Sequence, residues 1–317
     1  MKFQILIPTY NRCNDLKKNL EYLKSEMLKD QLMPEFGIIV SDNASTDGTW
    51  PMLQGIKVKW KDEVKLDIVR NETNVGLEQN TVNLLSFATS EYIIWLGDDD
   101  LLAEGYLKFI NEKFKDNQLG WMIPGVLSID GKGNIVDVRP ANFQYQEYSA
   151  GFEALYQVSH FGHQLSGLVL KRCGLLEAYL SKQQWRNLYL FITFLVLNQV
   201  KHSGIYAPHY KTLVNNFNSK DWGYNEVGLL DEVFRAYYYL KDSIGQQRVN
   251  KLLLRFVLMH SYRINFSEGF RAVVRQWKDI TIKANEAKGI KAKLLVLMTK
   301  EFVAQKIKRP MANSSVS

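Results

Sequence analysis

The chain has 317 residues, 46% of them apolar, enough for a core domain plus an appendage, and its two cysteines, Cys13 and Cys173, exclude a disulfide framework and give no metal-ligand spacing. The longest largely apolar run, Leu188 to Leu197, is too short to span a bilayer, and the N-terminal apolar stretch is too short for a signal peptide, so a cytoplasmic protein is expected. The net charge of +7 is uneven: from Arg248 to Ser317 fifteen Lys and Arg face four acids, so a basic tail of net +11 hangs on a body of net −4.

In chain order, Phe3 to Ile7 predicts a strand, followed by the polar loop Pro8-Thr9-Tyr10-Asn11-Arg12. Leu16, Leu20, Leu23 and Met27 recur at three and four residues, as on one face of a helix. Phe36 to Val40 predicts a second strand running into Ser41 to Gly48, and Thr49 to Lys59 a helix. Val64 to Val69 predicts a third strand ending in Asn71 to Gly76, and Leu77 to Ala88 a third helix. Tyr92 to Leu96, short, aromatic and β-branched, predicts a buried strand that discharges through Gly97 into Asp98, Asp99 and Asp100. Then come a helix over Glu104 to Phe114, a hairpin of Trp121 to Ile129 with Asn134 to Val138, a strand over Ser166 to Leu170, and helices over Arg172 to Leu180 and Trp185 to Val200. Beyond about residue 225 the pattern is helical throughout. Asn216 to Asp221 is the candidate linker, which divides the chain into 1–220 and 221–317. Strands alternating with helices imply an α/β domain, Rossmann-like with a mostly parallel sheet, followed by a helical appendage.

Three adjacent carboxylates repel one another unless a hard divalent cation held by oxygen ligands neutralises them, so Asp98, Asp99 and Asp100 point to Mg2+ or Mn2+. Their place at a strand's carboxyl end is where open α/β sheets bind ligands. The earlier loops suit a nucleotide. Thr9 offers a hydroxyl, Tyr10 a ring and Arg12 a guanidinium, fit for a base and a pyrophosphate. Asp42 at a strand end suits the imide of a uracil, Asp47 or Thr46 caps the next helix, and Asn74 with Gly76 forms a turn that lets backbone come close.

In order and spacing, Pro8 to Arg12, Ser41 to Thr49, Asn74-Val75-Gly76 and Gly97 to Asp100 together resemble the family 2 glycosyltransferases of the GT-A fold. Ser166 to Arg172 is similar to the glycine-to-arginine segment which that family places on the acceptor side. The resemblance implies a donor pocket of Pro8, Thr9, Tyr10, Arg12, Asp42, Asn74, Gly76 and Asp98, with Asp98 at the ribose and Asp99 at the metal. The ion would act as a Lewis acid on the leaving diphosphate. The implied reaction is an inverting transfer from a nucleotide-sugar donor, UDP-linked, to a cell-surface glycan or a polyprenyl-linked saccharide.

Many relatives carry an acidic pair after the glycine-to-arginine segment, whereas Ser181 to Asn187 holds no carboxylate here. That leaves His163, Glu177 and Asp100 as candidates for the general base. The same absence supports an alternative, a non-catalytic binding partner for nucleotide-sugar or acceptor in a polysaccharide synthase complex. A sugar nucleotidyltransferase fits less well, because Pro8 to Arg12 has no glycine to cradle phosphates. His209 is a further metal candidate, and Tyr237 to Tyr239 suit helix packing better than a sugar platform. The tail from 248 to 317 suits an anionic membrane surface, peripheral on the inner face, or a homo-oligomer contact. Nucleic acid is not expected, since the tail has neither RNA-recognition strands nor zinc-finger spacing.

Overall fold

The computed structural model describes residues 1–116, 118–130, 132–139, 144–215, 226–260, 269–283 and 290–312. The candidate linker, Asn216 to Asp221, lies outside them. The chain divides into two compact units, Met1–Gln183 with Leu190–Asp221, and Gln184–Tyr189 with Trp222–Ser317.

The first unit begins with an alternation: β1 (Phe3–Thr9), α1 (Cys13–Lys29), β2 (Phe36–Asp42), α2 (Thr49–Lys59), β3 (Leu66–Arg70), α3 (Gly76–Phe87), β4 (Tyr92–Trp95) and α4 (Tyr106–Lys113). It continues through β5 (Leu119–Ile129), β6 (Ile135–Arg139), β7 (Gln146–Tyr148), α5 (Phe152–Val158), β8 (Val169–Lys171), α6 (Leu175–Leu180), α7 (Leu190–Lys201) and β9 (Ser203–Asn215). Among the described residues these strands form one nine-stranded sheet in the order β3-β2-β1-β4-β8-β5-β9-β7, with β6 paired to β5. β1 pairs in parallel with β2 and β4, and β2 with β3, so four carboxyl ends share one edge. β8 runs antiparallel between β4 and β5, while β9 runs parallel to β5. This is a mixed sheet with a parallel half, as the α/β expectation requires.

Burial explains the apolar runs. Every residue of β1 and β2 is buried, as in a parallel sheet covered on both faces, whereas β3 at the edge is half-exposed. Phe3 stacks on Phe36 at 4.7 Å, and Phe114 meets Tyr92 edge-on at 4.8 Å beneath the sheet. Each such ring contributes roughly 1.5–3 kcal/mol by leaving water.

Several boundaries depart from the sequence pattern. α6 starts only at Leu175, because Gly174 adopts a left-handed φ of 70° and breaks the stretch from Arg172. Ser166 and Gly167 stand before β8 rather than in it, Gly167 having φ 87°. The helix expected from Trp185 begins at Leu190. β9 is absent from the sequence reading altogether: Pro208, His209 and Tyr210 form a bulge that breaks its alternation, between the pairings Pro124↔Ala207 and Gly125↔Lys211. Gly125 allows this bulge, since a Cβ there would lie 2.4 Å from the Pro208 carbonyl oxygen.

The second unit is helical: α8 (Glu226–Tyr238), α9 (Lys241–Ile244), α10 (Gln246–Met259), α11 (Phe270–Lys283) and α12 (Lys291–Ala312). Tyr237, Tyr238 and Tyr239 are buried there, Tyr238 against Trp185 at 4.9 Å, so they are packing residues. No helix among the described residues is long and apolar enough to cross a membrane.

Candidate active site

The carboxyl ends of β1, β2 and β3 lie in register, Thr9 beside Asp42 and Asp42 beside Arg70. The loops that leave them are sewn together by side chains. The backbone N–H of Asn11, a residue at φ 53°, donates to the Ser45 hydroxyl oxygen at 2.8 Å, and the Asn11 Oδ1 accepts from the Thr46 N–H at 2.8 Å. Asp47 accepts from the N–H groups of Thr49 at 2.9 Å and Cys13 at 3.2 Å. Burial alone would raise the Asp47 carboxyl, but these hydrogen bonds outweigh it and hold it below the ordinary range. Two backbones in the left-handed region, Asn11 and Ala44, persist because these stitches over-determine them.

Asp42 is fully buried. Its Oδ1 accepts from the Ser45 N–H at 3.1 Å, and Arg70 Nε lies 3.1 Å from its Oδ2. Arg70 also donates to the Ser45 carbonyl at 2.8 Å and lies over the Trp50 ring at 5.4 Å. Asp42, expected to accept from a base, is thus a buried carboxylate whose exposed partner is Arg70. Arg70 is the group presented, and sequence reasoning missed it.

The β3–α3 turn is held by an amide network that was also missed. Asn43 donates to Asn74 at 2.7 Å and accepts from Asn71 at 3.0 Å and from the Val75 N–H at 3.0 Å. Asn71 further donates to Asn80 at 2.8 Å, and Asn80 accepts from the Ser41 hydroxyl at 2.7 Å. Asn74 also accepts from the N–H of Gly76, whose φ is 80°. Thus Asn74 and Gly76 are fixed to the β2 loop. Pro8 lies in β1 beside Ser41, Tyr10 is exposed, and Arg12 is half-buried just before α1.

The aspartate turn lies across β1 from these loops. Thr9 Oγ1 donates to Asp98 Oδ2 at 2.7 Å. Burial, then the charge of Asp99, pushes the Asp98 carboxyl up to about 7 against the Thr9 hydrogen bond and Arg12. Asn19 of α1 donates to the Gly97 carbonyl at 2.9 Å and the Asp100 carbonyl at 2.6 Å. The Ser166 hydroxyl contacts the buried Asp100 carboxylate and the Gly97 N–H. Gly97 leaves room for this pair, because a Cβ there would stand 2.8 Å from Asp100 Oδ2 and displace it. Leu101 then pairs with Leu213 of β9.

The three acids therefore divide. Asp100, a candidate both as metal ligand and as base, is buried and braces the turn through Ser166, whereas Asp98 and Asp99 are half-buried at the rim. Among the described residues no three His, Cys, Asp or Glu groups converge on one ion site. Burial first, and then repulsion from Asp99, raises Asp98, and a divalent cation would relieve the repulsion, so Asp98 and Asp99 fit an ion that draws its other oxygens from phosphate and water.

Of the other base candidates, Glu177 sits exposed on α6, which follows β8 at the edge opposite the loops and packs on α3 and α7. It is not brought to the aspartate turn. His163 lines a pocket with Gln164, Ser166, Pro124, Val126 and Tyr206, and of these Ser166 contacts Asp100. Its Nδ1 lies 2.7 Å from the His160 carbonyl oxygen. A carbonyl only accepts, so Nδ1 carries the hydrogen and Nε2 is the basic nitrogen of the neutral ring. His209 stands in an aromatic group with Phe109, Tyr145 and Tyr210, which accounts for it without a metal.

A parallel half-sheet whose strand ends carry stitched polar loops and an acidic turn, joined to an antiparallel and bulged half, defines an α/β protein of the GT-A type. The sequence profile of glycosyl transferase family 2 matches residues 4–168, more than half of the chain, and the chain belongs to that family. The abequosyltransferase RfbV of Salmonella typhimurium is 32% identical over 120 residues, which span 37% of this chain and 34% of that protein. The poly(ribitol-phosphate) beta-N-acetylglucosaminyltransferase TarP of Staphylococcus aureus is 23% identical over 283 residues, 84% of this chain and 82% of its own length. Among solved structures, S. aureus TarS 1–349 in complex with UDP-GlcNAc superposes with a TM-score of 0.64 at 15% identity, over 95% of this chain and 88% of that one, a likeness of fold.

Proposed function

We propose that this protein is an inverting glycosyltransferase that moves a sugar from a nucleotide-sugar donor, UDP-linked, to a polymeric or polyprenyl-linked saccharide at the cell surface. The observation that carries the reading is the aspartate turn locked to β1 by the bond from Thr9 to Asp98, one strand away from the Asp42–Arg70 pair. These groups are spaced along one sheet edge in the order that diphosphate, ribose and base would take. The complex of TarS with UDP-GlcNAc and the polymer named for TarP and TarS support the donor and acceptor classes.

In this reading Arg70, set by Asp42, faces the base beside Tyr10, and the Asn43–Asn74 amides fix the turn that closes over it. Asp98 meets the ribose, and Arg12 offers charge to the diphosphate. Asp99 and Asp98 would hold Mn2+ or Mg2+, which stabilises the negative charge that develops on the leaving diphosphate. The acceptor oxygen forms its bond to the anomeric carbon as the bond to the diphosphate breaks on the opposite face. His163 Nε2 takes the acceptor's proton, and its tautomer is fixed by the His160 carbonyl.

A panel of UDP-, GDP- and dTDP-sugars incubated with Mn2+ and assayed for free nucleotide diphosphate tests the proposal, with Asp99→Ala as control. Release from one donor that depends on Asp99 is the expected result. Failure of UDP and Mn2+ to bind, together with no effect of Asp99→Ala, would overturn it. The lack of a carboxylate in Ser181 to Asn187 favours one second reading, a non-catalytic binding partner, which predicts donor binding without turnover even when acceptors are supplied.

A further inference from the structure

Three consecutive helices of the second unit each turn a basic stripe to solvent. On α10 the exposed side chains include Arg248, Lys251 and, at the far end, Leu258; on α11 they are Phe270, Arg271, Arg275 and Lys278. α12 carries the longest stripe, with Lys293, Val296, Lys300, Val303 and Lys306 exposed at steps of three and four residues. Its opposite face is buried through Leu294, Met298 and Phe302, and Phe302 meets Phe270 of α11 at 5.8 Å. Against these cations the three helices carry two acids in sequence, Asp279 of α11 and Glu301 of α12.

The apolar members of the stripe decide what it faces. Val296 is 55% exposed and Val303 48%, each one helical turn from a lysine. A polyanion in water gains nothing from exposed valines. A headgroup layer does: it takes short apolar side chains at the acyl boundary while lysines, snorkelling outwards, reach anionic phosphates. We infer that the outward face of α12, flanked by the basic stripes of α10 and α11, is a docking surface for an anionic lipid bilayer. This surface stands apart from the donor reading, because it uses none of the residues of the aspartate turn.

Co-sedimentation of the full chain with phosphatidylcholine vesicles, with and without phosphatidylglycerol, tests this at physiological salt. Binding is expected to the anionic vesicles alone. The triple variant Lys293→Gln, Lys300→Gln, Lys306→Gln should weaken it about a hundredfold, at about fivefold per charge. Val296→Ser with Val303→Ser leaves every charge in place and should still weaken binding about tenfold, since burying apolar surface contributes separately. Circular dichroism and UDP binding confirm that each variant is folded. Vesicle binding unchanged in both variants overturns the inference. So does binding to inorganic polyphosphate that ignores the valines, or self-association through α12 with no vesicle binding.

Discussion

The two halves of the sheet are built on different principles. On the β3-β2-β1-β4 side, parallel strands deliver polar loops to one edge, and each loop is tied to the next by side chains close to the strand that leads into it, such as Ser45 to Asn11 and Asn43 to Asn74. On the β8-β5-β9 side, position depends on missing side chains and distant partners: Gly125 under the Pro208 bulge, Gly167 against Pro124 and Thr212, and Ser166 reaching back to Asp100. The first half is rigid by hydrogen bonding, the second by close packing. A donor site that must be held to a fraction of an ångström suits the first half.

The largest effect that would break this division lies at the aspartate turn. Asp99→Asn should lower transfer by about a thousandfold or more, because a metal site loses several kcal/mol of charge stabilisation, while the melting temperature stays close to that of the parent. A variant with near-normal turnover would move the metal-side chemistry away from the parallel half. Arg70→Leu comes next. It strands the buried Asp42 carboxylate, leaving only the Ser45 N–H upon it. The loss of stability by chemical denaturation should be about 2 kcal/mol, less than the 3–5 of a wholly buried pair because Arg70 is itself half-exposed. Donor KM should rise in the same variant. Unchanged stability would mean that the pair does not hold the loop.

The contrast also decides what could be read in the sequence. β1, β2 and β4 were legible because a buried parallel strand is a short run of apolar residues, and each ends at a polar loop. Thr9 and Asp98 were legible as types, though not as a bonded pair. Arg70 looked like any charge after a strand; only the register of β2 on β3, which sets Asp42 beside it, gives it a role. An arginine closing the strand next to one that ends in aspartate was the available signal. Asn43 and Asn71 were passed over because asparagine in a loop usually reports a turn, and here their amides join the β2 and β3 loops to each other and to Asn80 of α3. On the other half, β9 escaped because its bulge breaks the period of two, and the tie between Asp100 and Ser166 was not legible because the two are 66 residues apart.

Gly125→Ala probes the packed half directly. The new methyl would meet the Pro208 carbonyl, so the bulge at Pro208 to Tyr210 must move, at a cost of about 1–3 kcal/mol measured by urea unfolding. Because Tyr210 packs on Tyr106, whose hydroxyl holds the Gly167 carbonyl at 2.9 Å, the shift should reach the acceptor side and raise acceptor KM while donor KM stays constant. Equal changes in both constants would erase the distinction between the halves.

The smallest expected effect concerns His202, which lies beside Gly120 and gives its carbonyl to the Trp121 indole at 3.0 Å. Burial, with Lys171 and Lys201 nearby, lowers its pKa, so the folded chain binds a proton there less readily than the unfolded one. Stability from this group is therefore complete above the ordinary histidine value of about 6.5 and falls as the pH drops below it towards the folded value. The residue is half-exposed, which keeps the effect small, and His202→Gln should flatten the stability profile below about pH 6.5 without changing it at pH 8. Since His202 stands at the start of β9, away from the polar loops, the same variant should leave transfer unaltered at pH 8. A loss of activity there would show that the packed half transmits strain from one end of β9 to the other, and that its glycines set catalysis as well as fold.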